Sequence, residues 1–164
     1  RLAELAVRFP DKIFWVDSRA RIGAFRNVCI KVNAREAVKQ VFPPGAEAPD
    51  DVTVVRAVAE LRRRTGRPVF VTAGGRGMWT SDPETTLVRG LAVPEPTDPT
   101  GAGDSATAGA VLALCAGAEP REAALVANLV AETVVNMFET IQIQKQHGQP
   151  CVVTPGVLDG MFQA

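Results

Sequence analysis

The sequence predicts an α/β domain built on a mainly parallel sheet with helices on both faces. Three observations predict it. Compact apolar runs at 13–16, 28–32 and 69–72 look like strands buried on both faces. Segments with helical spacing alternate with them. Polar and glycine-bearing motifs follow the strands or open the helices, which is where an open α/β sheet gathers its ligands.

The elements follow in order. Residues 1–9 read as a helix with Leu2, Leu5, Ala6 and Phe9 on one face, closed by Pro10. Ile13-Phe14-Trp15-Val16, ending in Asp17, is the first strand, and Val28-Cys29-Ile30-Lys31-Val32 the second. A helix runs from Asn33 to about Val41, followed by a loop rich in proline and glycine. Asp50 or Asp51 caps the next helix, which carries Val52, Val55, Val58 and Leu61 inward and stops at its arginines, Gly66 and Pro68. Val69 to Thr72 is the third strand; Met78 to Thr80 and Thr86 to Val93 read as a hairpin or sheet edge. After a stiff Pro-Glu-Pro-Thr-Asp-Pro segment come two alanine-rich helices, roughly 104–117 and 120–136. Ile141 and Ile143 suit a last strand, and 157–164 a short closing helix. Residues 1–164 read as one domain, and a start at Arg1 inside a helical pattern reads as a piece of a longer chain.

Composition narrows the function. Eighteen basic residues balance eighteen acidic ones, so no global field recruits nucleic acid or an anionic membrane. Arg62-Arg63-Arg64 falls where a helix ends and reads as a solvated terminus. Cys29, Cys115 and Cys151 have no short spacing, and two lie in apolar stretches, which fits buried thiols in a reducing cytoplasm. The single histidine, His147, argues against zinc and against a Ser-His-Asp triad. No apolar run reaches membrane-spanning length.

Four motifs carry chemistry. Gly101-Ala102-Gly103-Asp104 precedes a helix, so flexible backbone can turn N–H groups toward one point where the helix dipole adds positive charge. The same letters also suit a tight loop with an acid in the first turn. Asn33-Ala34-Arg35-Glu36 follows a strand, and its spacing is that of a capping box. Thr72-Ala73-Gly74-Gly75-Arg76-Gly77 follows another strand, where glycine lets backbone approach a phosphate; a plain turn would look alike. Asn128 sits on the last long helix, and by itself reads as a surface residue.

Together these motifs resemble the ribokinase-like, or PfkB-type, carbohydrate kinases. Asp98-Pro99-Thr100-Gly101-Ala102-Gly103-Asp104 is similar to that family's D-[TV]-T-G-A-G-D signature. The resemblance implies a ribokinase-like fold, Asp104 as base for a sugar hydroxyl, and the amides of Gly101, Ala102 and Gly103 as anion hole. It further implies ATP and Mg2+, with Asn33, Thr72, Gly74, Gly77 and Asn128 at the nucleotide and Glu36 acting on the metal through water. Residues 1–164 would then be the C-terminal part, without the N-terminal sugar-binding half and lid. Phe14 to Arg19, Asn27 to Glu36 and Ala118 to Val135 are most similar to the heptose-phosphate kinase branch. The expected partner is a sugar or sugar phosphate, with no nucleic acid and no membrane, and a second copy in a homodimer is compatible with the resemblance.

Two departures stand out. Glu139 takes the place of a glycine usual after the last long helix, which argues against activation by a monovalent cation. The tail from Gln142 to Pro150 is longer and more polar than the family pattern. The alternative function is a non-catalytic nucleotide-binding or regulatory module derived from such a kinase. A dehydrogenase is disfavoured, because no G-x-G-x-x-G follows a first strand.

Overall fold

The computed structural model describes residues 1–42, 50–82, 84–90 and 100–146, with side chains through residue 136. Five strands form one sheet in the order β1-β2-β3-β4-β5: β1 Trp15–Asp17, β2 Cys29–Asn33, β3 Val69–Thr72, β4 Gly77–Ser81 and β5 Thr85–Arg89. β1, β2 and β3 run parallel, and β4 and β5 turn back as an antiparallel edge hairpin, as the sequence suggested.

Helices cover both faces. One face, carrying Ile30, Val32, Val69, Val71 and Trp79, packs against α2 (Ala34–Val41) and α3 (Asp51–Thr65) through Ala37, Val38, Val54, Val58 and Leu61. The opposite face, with Phe70, Met78 and Val88, meets α4 (Ala102–Cys115) and α5 (Pro120–Gln146) through alanines 106, 110, 123, 124 and 127. Trp15 lies against Phe70 there, with ring centroids 4.9 Å apart. α1 (Leu2–Arg8) buries only Ala6.

Helix boundaries follow the capping chemistry. Asp50 accepts from the Thr53 amide at 2.7 Å and starts α3; Gly66, at φ 72°, closes it in the left-handed conformation. The arginine run lies in the last turn of α3. There Arg63 and Arg64 pair with Glu60, and Arg62 with Asp82.

Several expectations are corrected. Ile141 and Ile143 are helical, because α5 continues to Gln146. Their alternation mimics a strand, but between Pro120 and Gly148 the sequence has no residue that breaks a helix. Glu139 therefore lies within α5 rather than after it. Val52 is 68% exposed, whereas Val54 is buried; the inward stripe runs through Val54, Ala57, Val58, Leu61 and Thr65. A strict three-residue step drifts off a face that repeats every 3.6 residues. Leu5 and Phe9 remain largely exposed, and Ile13 precedes β1 instead of opening it. Cys29 is buried, and burial pushes its thiol up to about 11; Cys115 is exposed. Residues 91–93, Asp98, Pro99, His147, Cys151 and 157–164 lie outside the described residues. Among the described residues no helix is long and apolar enough to cross a membrane.

Candidate active site

The predicted residues converge on one end of the sheet. β2 and β3 are parallel and end in register, so Asn33 and Thr72 are paired neighbours at their C-terminal ends. The antiparallel return of β4 brings Gly77 to the same end, and Gly77 pairs with Arg89 at the close of β5. The Lys31 side chain, two residues before Asn33, reaches the α4 N-terminus: a β-carbon at Gly103 would stand 3.3 Å from its Nζ.

At the α4 start, Gly101 is the N-cap in a left-handed conformation (φ 81°), which glycine alone adopts readily, and a β-carbon there would meet nothing within 4 Å. The first helical bond runs from the Ser105 amide to the Gly101 carbonyl at 2.9 Å. The preceding amides of Ala102, Gly103 and Asp104 thus have no place in the helical ladder and face the open end. Asp104 is exposed in this first turn, and the Thr107 hydroxyl donates to the Gly103 carbonyl at 3.1 Å. The arrangement is a helix terminus with a carboxylate at its mouth. It can hold an oxyanion and take up a proton beside it.

The Asn33 motif forms a complete capping box. Asn33 Oδ1 accepts from the Glu36 amide at 2.9 Å, and the Asn33 amide donates to Glu36 Oε2 at 3.1 Å. The box engages one oxygen of each side chain, so Asn33 Nδ2 and Glu36 Oε1 are not committed to it. Asn33 itself is exposed.

The other predicted residues divide. Thr72 donates weakly, at 3.5 Å, to the Val32 carbonyl, and Gly74 opens an exposed 3-10 turn. Gly77 is buried at φ 107°, and a β-carbon there would sit 2.2 Å from the Val88 carbonyl oxygen. Contact between the β4 and β5 backbones thus accounts for that glycine. Asn128 is buried rather than a surface residue: its amide donates to the Val88 carbonyl at 3.0 Å and ties α5 to β5.

One charged group escaped the sequence reading. Lys31 lies in the middle of β2 with its side chain 8% exposed, its Nζ donating to Asp17 Oδ2 at 2.6 Å. The signal was a lysine in the centre of an otherwise apolar buried strand. Among the described residues no three His, Cys, Asp or Glu side chains gather to hold a metal ion.

Residues 28–146 match the pfkB family carbohydrate kinase profile. No curated protein sequence matches the chain. Solved structures share the fold: an adenosine kinase from Sinorhizobium meliloti at TM-score 0.64 and 22% identity, with 82% of this chain aligned to 43% of that one. A ribokinase from Thermotoga maritima aligns at TM-score 0.65 and 22% identity, covering 81% of this chain and 45% of that one. A ribokinase from Cryptococcus neoformans var. grubii, solved in complex with ADP, aligns at TM-score 0.63 and 18% identity over 81% of this chain and 50% of that one. The chain therefore spans half or less of the length of each.

Proposed function

We propose, because the chain belongs to the pfkB family of carbohydrate kinases, that it is the nucleotide-binding and catalytic part of an enzyme that transfers the γ-phosphoryl group of ATP to a hydroxyl of a sugar or sugar phosphate. The observation that carries this reading is the α4 terminus. A left-handed Gly101 opens the helix, Asp104 stands exposed in its first turn, and the terminus lies at the same sheet end as Asn33 and Thr72.

Phosphoryl transfer asks for positioning and charge stabilisation more than for covalent help. The acceptor hydroxyl oxygen forms a bond to the γ-phosphorus while the bond from that phosphorus to the β-bridging oxygen breaks, and ADP leaves with the electron pair. Asp104 accepts the hydroxyl proton. The amides at Gly101 to Gly103 donate to the oxygens on which negative charge gathers, aided by the helix dipole. Asn33 and Thr72 border the nucleotide phosphates from the neighbouring strand ends, and Gly74 keeps the next turn low.

A magnesium ion bound with the nucleotide would supply neutralisation of phosphate charge, and Glu36 would hold it through water. The uncommitted Glu36 Oε1 fits an ion that keeps much of its water, and among the described residues no cluster of ligands gathers to strip it. Gly77 and Asn128 serve this site as supports, fixing β4 and α5 behind it.

The acceptor we favour is a sugar phosphate, on the likeness of Phe14 to Arg19 and Ala118 to Val135 to the heptose-phosphate kinase branch. Assaying the complete enzyme against matched sugars and sugar phosphates tests that choice. For the reaction itself, Asp104→Asn in the complete enzyme keeps nucleotide affinity and lowers kcat by about 10²–10⁴-fold, the usual worth of a general base. Near-normal turnover in that variant removes Asp104 from the mechanism.

A further inference from the structure

We propose that Asp51 is a positioning residue of the nucleotide site: through its ion pair with Arg76 it holds the turn 73–77 in the shape that receives the nucleotide. The proposal deepens the kinase reading and rests on it for the identity of that ligand.

The turn is built unevenly. Its Gly77 end is locked by backbone. The Ala73 amide donates to the Gly77 carbonyl at 2.9 Å, and the Gly90 amide donates to the Arg76 carbonyl at 3.2 Å. Its other end is open. Gly74, at φ 61°, and Gly75 are both exposed, and a β-carbon on either would meet nothing within 4 Å. Two adjacent glycines in open space leave the backbone a wide choice of conformations. A ligand that needs one of those conformations bears the cost of ordering it, unless the protein has already done so.

Arg76 supplies the restraint. It directly follows the two glycines, and its Nη1 donates to Asp51 Oδ1 at 2.6 Å. Asp51 stands where an anchor can work. α3 leads into β3, so it runs back along that strand and starts at the sheet end where β3 finishes. In the first turn of α3 the helix dipole favours a carboxylate, and α3 itself is fixed on the aliphatic face by Val54, Val58 and Leu61. Asp50 is already engaged, because it accepts from the Thr53 amide at 2.7 Å as the cap. The two consecutive acids thus divide the work: one starts the helix and the other holds the turn. Both partners of the pair are 53% exposed, so water and salt weaken it and it adds little to global stability. A bias of about twofold to fivefold toward the receptive shape is what such a pair can give.

Calorimetry with Mg·ADP tests it, on wild type, Asp51→Asn, Arg76→Gln and the double variant, with Asp50→Ala as control. Each single variant of the pair should bind about twofold to fivefold more weakly, and the double variant no more weakly than the weaker single. Asp51→Glu should recover part of the loss. Melting temperatures of Asp51→Asn and Arg76→Gln should stay at the wild-type value, whereas Asp50→Ala should melt earlier and bind as before. Without nucleotide, amide exchange at 74–76 should be faster in Asp51→Asn than in wild type. In the complete enzyme, Asp51→Asn should raise KM for ATP by the same factor and leave kcat nearly unchanged, as loss of uniform binding does. Wild-type affinity in both single variants, or losses that add in the double variant, overturns the proposal and leaves the kinase reading standing. Tighter binding by Asp51→Asn overturns it as well, because Arg76 would then be a nucleotide cation that Asp51 withholds. A wild-type chain that binds no Mg·ADP defeats the kinase reading and the proposal together.

Discussion

The two faces of the sheet are packed by different chemistry. Against α2 and α3 the buried side chains are mostly branched aliphatics: Ile30, Val32, Val54, Val58, Leu61, Val69 and Val71. Against α4 and α5 the helices contribute alanine almost alone, at 106, 110, 123, 124 and 127. Large side chains supply most of the transfer free energy, about 1.5–3 kcal/mol for each one fully buried. Alanine supplies little, but it has no rotamers to lose or to vary. Helices that pack through methyl groups come close, and few alternative positions fit them. The first face therefore holds the fold together. The second fixes where the α4 terminus sits over β2, within reach of Lys31.

Two substitutions sharpen or break this division. Leu61→Ala, on the aliphatic face, should cost the most stability, about 2–5 kcal/mol by chemical denaturation, because it leaves a cavity at a fully buried position. The protein that remains folded should bind nucleotide as before. Ala110→Leu, on the alanine face, should cost less, about 1–3 kcal/mol, but it forces α4 away from the sheet. Its nucleotide and phosphate affinities should fall together. If Ala110→Leu leaves affinity intact, or Leu61→Ala weakens it, the faces do not divide the labour in this way.

The smallest expected effect compares two helix caps. Asn33 and Asp50 each accept an amide at their helix start, from Glu36 and Thr53 respectively. Replacing either by alanine should cost about 1 kcal/mol. Only Asn33→Ala should also weaken Mg·ADP binding in calorimetry, since Asp50 spends its carboxylate on the cap and the neighbouring turn is held by the Asp51 pair with Arg76 instead. Equal affinity in both variants would leave Asn33 with the cap as its whole role.

The same division explains what the sequence made legible. The parallel core was readable because strands buried on both faces are largely apolar, and β2 and β3 keep that character despite Lys31 in the middle of β2. Gly66 and Pro68 announced the end of α3, and Asn33 with Glu36 announced the start of α2. The α5 end was misread because Ile141 and Ile143 alternate like strand residues, and local β propensity gives way where nothing interrupts a helix. At the candidate site the glycine cap was readable, since the left-handed Gly101 that opens α4 is a conformation glycine favours. Gly77 and Asn128 could not be sorted from sequence, because their partners, the carbonyls of Val88 and Arg89, are set by tertiary contact. Lys31 was overlooked for a related reason. Its meaning depends on Asp17 and Gly103, which come beside it only when β1 pairs with β2 and α4 docks.

The central claim is that nucleotide phosphate is held where the α4 terminus meets the ends of β2 and β3. Hydrogen–deuterium exchange of the purified chain, with and without saturating Mg·ADP, tests it most directly. Protection should concentrate at residues 101–107, with weaker protection at 33–36 and 72–76, and little change along α1 or the outer surface of α3. Absence of protection at millimolar nucleotide, or protection that falls elsewhere and spares 101–107, would contradict it.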